Sequence, residues 1–140
     1  MTKSRVYTSK AFRTFAEWEY VLEGFKQHIR GNTPDFFGCD FAYNHMDTPT
    51  LVREYLSHIH ISNPIDNYPS CWLTKPPHKR KNLSQNPEKD YALVYWRDSY
   101  RDAYYLLTII GPDAHDYSVW MPFLEGLARD CERIDLSGHV

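Results

Sequence analysis

The pattern of apolar and polar positions changes period several times along the chain, and each change marks an element. Arg5 to Phe12 (RVYTSKAF) is β-prone and predicts a first strand. Trp18, Val21, Leu22, Phe25 and Ile29 then recur at helical spacing behind Thr14-Phe15-Ala16-Glu17, a capping-box pattern, and Gly31 ends the predicted helix. After the turn-rich GNTPDFFGCD, Thr48 and Pro49 suit the N-cap and first position of a shorter helix, TPTLVREYL, with Leu51, Val52, Tyr55 and Leu56 on its apolar side. That helix runs into LSHIHISNP, where strict alternation predicts a strand. Two β-rich runs, Tyr91 to Arg97 (YALVYWR) and Ala103 to Ile110 (AYYLLTII), flank the short polar connection DSYRD and predict a hairpin. Pro122 to Ile134 places Leu124, Leu127, Ala128, Cys131 and Ile134 on one helical face. Strand, two helices, three strands and a helix imply an α+β domain with a small, mainly antiparallel sheet whose buried residues include Ile59, Ile61, Leu107 and Ile109.

A chain of 140 residues with 42 % hydrophobic positions suffices for one core, so residues 1–140 are read as a single domain. The segment from Asn63 to Asp90 contains five of the nine prolines and is expected to be a long exposed loop, because proline removes a backbone donor and fixes φ. Its one dense basic run, His78-Lys79-Arg80-Lys81, matters because the net charge is −2, so any affinity for nucleic acid has to be local. Such a run is either solvated surface or a phosphate-binding loop. No apolar run approaches membrane-span length and the polar start has no secretory core, which points to the cytoplasm. Cys39, Cys71 and Cys131 are too scattered for a zinc cluster or a disulfide framework and are read as buried thiols.

The candidate chemistry lies in the alternating strand. His58 and His60 share one face and Ile59 and Ile61 the other, so the imidazoles sit roughly 6.6 to 6.8 Å apart along the chain. With the isoleucines toward the core, three readings stand: an outward pair that handles protons, an ordinary half-exposed strand, or a metal site completed by His115 or Asp66.

Four stretches carry a resemblance. PDFFGCDFAY (Pro34 to Tyr43), HIHI (His58 to Ile61), LVY (Leu93 to Tyr95) followed by LLTII (Leu106 to Ile110), and GPDAH (Gly111 to His115) occur together and in this order. With them the chain resembles the YafO family of toxins from type II toxin–antitoxin pairs, ribosome-dependent mRNA interferases related to the RelE group. The resemblance spans about Arg5 to Ile134. It implies a compact RelE-like α+β fold, endonucleolytic cleavage of mRNA on the translating ribosome, and a cognate antitoxin. No cofactor or metal is expected. The loop with PPHKRK, and Arg97, have no counterpart in the family pattern.

Metal-free RNA cleavage needs a base for the ribose 2′-hydroxyl, an acid for the leaving oxygen and positive charge for the transition state. His60 and His115 suit the proton roles and His58 an orienting or phosphate-binding one. Lys79, Arg80 and Lys81 are candidate RNA contacts, with Tyr95 and Arg97 alternating onto one face as a stacking surface and clamp. Asp35, Asp40 and Tyr43 are supporting candidates, although Gly38 looks like a positive-φ position and Asp35 like a turn cap. The competing functions are a small metal-dependent enzyme built on His58 and His60, and a non-enzymatic interaction domain.

Overall fold

The computed structural model describes residues 4–43, 47–80 and 86–137. Five strands, β1 (Arg5–Thr8), β2 (Asp40–Ala42), β3 (Ser57–Ser62), β4 (Asp90–Asp98) and β5 (Ala103–Ile110), form one sheet in the order β1-β5-β4-β3-β2. All neighbours are antiparallel except β1 and β5, which run parallel. The helices are α1 (Trp18–Ile29), the six-residue α2 (Thr50–Tyr55) and α3 (Tyr117–Ser137). The α+β class is as the sequence implies.

The sheet carries a core on each face. Phe12, Val21, Phe25, Phe36 and Phe37 pack against Ile59, Ile61, Leu93 and Leu106 on the α1 side. On the other side Val52, Leu56, Leu124, Ala128 and Cys131 pack against Ala92, Val94 and Ile110. A sheet covered on both faces buries both sides of a strand such as β3, so alternation there no longer separates core from solvent. In β5, Leu106 and Ile110 are fully buried while the expected Leu107 and Ile109 are only half-buried. The register slips between Val94 and Tyr95, so that they pair with Thr108 and Leu106, and this bulge changes which side chains face each layer.

Several local expectations are corrected. Thr14 does not cap α1: its hydroxyl donates to the Ala11 carbonyl at 2.6 Å inside a 3₁₀ turn over Phe12–Thr14, and the helix starts at Trp18 with no side-chain cap. The first strand stops at Thr8 because that turn buries Phe12 completely. Pro49, not Thr48, precedes the first residue of α2. Helix α3 begins five residues before Pro122, its first turn tied back to the preceding loop by Trp120, whose indole N–H donates to the Asp113 carbonyl at 3.0 Å. The DFA of β2, expected as loop, pairs with β3 at the sheet edge. Cys71 is exposed, whereas Cys39 and Cys131 are buried.

The described part of the proline-rich segment, 63–80 and 86–90, is a strapped surface layer and not a free loop. Its described residues form 3₁₀ turns at Ser70–Thr74, Pro77–Lys79 and Pro87–Lys89, and Ile65, Trp72 and Arg80 are buried.

The turn between β5 and α3 starts at Gly111, whose φ of +148° strains any side chain and whose added Cβ would stand 2.4 Å from the Tyr91 ring. Gly111→Ala is therefore expected to lower stability by about 2 kcal/mol or more, from backbone strain and overpacking together, measured as a fall in the urea midpoint at unchanged slope.

Candidate active site

β3 and β4 set the site. His58 pairs with Val94, His60 with Ala92 and Ser62 with Asp90, so His58, His60 and Asp90 lie on the sheet face that α3 covers. The loop after β5 then closes over Asp90. Ala114 N–H donates to the Asp90 carbonyl at 3.0 Å, His115 N–H to its Oδ2 at 3.2 Å, and His115 Nδ1 is hydrogen-bonded to the same oxygen.

The result is a stack of rings. Tyr43 lies flat on His58 at 4.0 Å between centroids, His58 meets His60 edge-on at 5.0 Å, and His60 and His115 are parallel at 4.7 Å with 8° between planes. His115 thus stacks on His60.

Burial is where the expectation fails. Alternation predicts an outward-facing pair, yet His58 is 6 % exposed and His60 5 %, because α2, α3 and the 111–117 loop cover this face too. His115 is the reachable member, with 21 % of its side chain exposed, above an Asp90 side chain at 0 %. Burial first, and the charge of His115 second, hold His58 down at about 4 against a hydrogen bond to the Phe41 backbone. Burial likewise holds His60 at about 3, with the charges of His58 and His115 adding to it and Asp90 opposing. Both rings are therefore neutral near pH 7. Burial pushes the Tyr43 hydroxyl up, so it stays protonated.

Buried polar atoms in native proteins are nearly always paired. Among the described residues the buried side-chain atoms without a hydrogen-bond partner are Tyr43 Oη, His58 Nδ1, His60 Nδ1 and Asp90 Oδ1, and they all belong to this cluster. Spare hydrogen-bonding capacity is concentrated in one place.

Other expected site residues lie elsewhere. Tyr95 is buried on the α1 face and donates to Asp40 Oδ1 at 2.8 Å, so its ring is core and not a base-stacking surface. Arg97 is exposed over Tyr104, 5.6 Å from the ring centroid. Arg80 is no phosphate ligand: its Nε donates to the carbonyls of Trp72 and Lys75, its Nη1 to those of Pro34 and Phe37, and Asp35 is 3.7 Å away. Lys79 is exposed, and Lys81 lies outside the described residues. Asp35 reaches only Arg80, with no turn cap among its described bonds. Gly38 does not have positive φ; it is needed because a Cβ there would stand 2.8 Å from the Trp72 ring and 3.1 Å from His60 Cβ.

Asp40 belongs to a second network that the sequence reading did not find. His28 Nε2 and Asp40 Oδ2 are 2.7 Å apart, and His28 Nδ1 meets Thr33 Oγ1 at 2.7 Å. His28 falls three residues after Phe25 and seven after Val21, on the buried stripe of α1, which is the signal that marks it. Asp90 was missed as well. It stands two residues before Ala92 and four before Val94, in phase with the face that the histidines share.

The family comparison matches residues 21–133 to the YafO toxin family of type II toxin–antitoxin systems, a span that contains every member of the histidine cluster. The chain belongs to that family. A YafO toxin has a cognate antitoxin protein as its partner. Comparison with curated proteins and with solved structures gave no match. In this YafO toxin, no helix among the described residues is long and apolar enough to cross a membrane.

The neutral imidazoles make stability depend on pH. Unfolded histidine titrates near 6.5, whereas folded His58 and His60 titrate at about 4 and 3, so between those values the unfolded chain binds protons that the folded one does not. Stability is fully present above about pH 6.5 and is lost on acidification, by up to about 1.4 kcal/mol per pH unit for each ring. Chemical denaturation at pH 7 and pH 5 should show this fall, and His60→Gln should show a shallower one. In the same assay Arg80→Ala should cost about 2–4 kcal/mol by stranding carbonyls, while Lys79→Ala leaves the midpoint in place.

Proposed function

We propose that this toxin is a ribosome-dependent mRNA endoribonuclease that cleaves by metal-free attack of the ribose 2′-hydroxyl, with His115 as the base. The observation that carries the reading is the hydrogen bond between His115 Nδ1 and the fully buried Asp90, which orients a ring whose side chain is part-exposed. A carboxylate so placed fixes the tautomer and stabilises the imidazolium that forms when the ring takes a proton. The 2′-hydroxyl proton passes to His115, the 2′-oxygen bonds to phosphorus, and the bond to the 5′-oxygen breaks. The imidazolium, neutralised by Asp90, then returns its proton to the departing oxygen.

His60 sits behind this ring and stacks on it, so its part is to hold His115 in plane. His58 and Tyr43 extend the support one layer deeper. Dependence on the ribosome fits the charges around the buried rings. Among the described residues, the charges that act on His58, His60 and Tyr43 are His58, His115, Asp90 and Tyr117, with no lysine or arginine. On this reading the ribosome supplies positive charge for the phosphorane-like transition state and positions the RNA. Exposed Lys79 and Arg97 are left as long-range contacts to RNA.

His115→Ala should lower the rate of ribosome-dependent cleavage by roughly 10²–10⁴ while leaving the fold intact, since the side chain is at the rim. The readout is induced expression with mapping of mRNA 5′ ends inside translated frames. The upstream fragments should end in a 2′,3′-cyclic phosphate or its hydrolysis product, and chelator should leave the cuts in place. Full activity in His115→Ala rejects the assignment.

A further inference from the structure

Proton transfer at His115 uses one nitrogen of the cluster and leaves the unpaired atoms of His60 and Asp90 without a role. Those two residues and His115 each offer a ligand atom, and the three atoms lie within 4.8 Å of one another. We infer that His60, Asp90 and His115 form a binding site for one divalent transition-metal ion, zinc foremost, and that the bound ion silences the toxin. The silencing rests on the reading of His115 as the base; the binding does not.

Two imidazoles and a carboxylate are the donors that zinc and its neighbours take in three-ligand sites, with a fourth position open to water. Magnesium prefers an all-oxygen octahedral shell and gains little here. Both histidine ligands are held close by stacking before any ion arrives. The buried Nδ1 of His60 has no hydrogen-bond partner among the described residues, so no protein contact has to be broken to free it. Asp90 brings a negative charge at 0 % exposure, a strong attraction for a cation where water screens little.

Tetrahedral ligands at about 2.0–2.2 Å from zinc lie about 3.4 Å from each other, so with all three atoms within 4.8 Å no pair has to close by more than roughly 1.4 Å. His115 can supply that movement, since it sits on the turn between β5 and α3 and is part-exposed. Once its lone pair is given to the ion it can no longer accept the 2′-hydroxyl proton.

The test is a titration of the full-length purified chain with zinc in competition with a chromophoric chelator. One ion per chain is expected, with dissociation in the micromolar range or below, unaffected by millimolar magnesium. His115→Ala should weaken binding by at least ~100-fold at unchanged circular dichroism, and His60→Gln should weaken it also. No stoichiometric binding, or equal affinity in His115→Ala, overturns the site by placing zinc on other groups such as the remaining histidines or Cys71. In a cell-free translation reaction, cleavage should fall as the site fills and return on addition of EDTA. Cleavage that zinc leaves unchanged or stimulates overturns the silencing. A chain that binds zinc at this site but cuts no message under any condition refutes the nuclease reading and leaves the metal site standing.

Discussion

β3 is buried on both faces, and the rest of the structure follows from that constraint. A two-sided strand with isoleucines on one side has to place whatever lies on the other side inside a second core. Here that is His58 and His60, taken out of water beneath α2 and α3. Burying two imidazoles is tolerated only in their neutral form, and their lowered proton affinity expresses that cost. The flat contact of Tyr43 on His58 and of His115 on His60 returns part of it as ring stacking.

The position of the proline-rich strap has the same origin. β2 is only three residues long and cannot shield the edge of β3 beyond Ile59. The chain completes the edge with loop backbone: His60 N–H donates to the Cys39 carbonyl at 3.2 Å, and Cys39 N–H to the Arg80 carbonyl at 3.1 Å. Arg80 then gathers the carbonyls of two further segments, those around Pro34 and Trp72. A residue that looks like surface charge in the sequence is thus a staple for the layer beside the histidine strand. Its donors match a cluster of carbonyls better than a lysine could, since the guanidinium presents a planar fork.

On the proposed function, activity and stability pull in opposite directions in this cluster. Unpaired buried acceptors weaken a fold, and a sequence selected for stability alone would replace them with apolar groups. Their retention in one place, next to a part-exposed His115 held by a buried carboxylate, is the physical basis for reading the cluster as the working part of the toxin.

Periodicity by itself determined much of the fold. The hairpin of Tyr91–Arg97 and Ala103–Ile110, the stripe of α1 and the alternating histidine strand are local patterns, written in residues a few positions apart. The shared face of His58 and His60 was legible for the same reason, and the resemblance added the family and His115. Tertiary structure alone decided which residues are inside. Whether the histidine face meets water depends on α3, about 60 residues further along the chain, so no local pattern shows that it is covered. Arg80 and Tyr95 read as surface because charge and alternation say so, and each is buried by partners distant in sequence. Asp90 came to light only when β3 and β4 paired, because a carboxylate and an imidazole 25 residues apart become neighbours through sheet register and loop closure, which are properties of the folded chain.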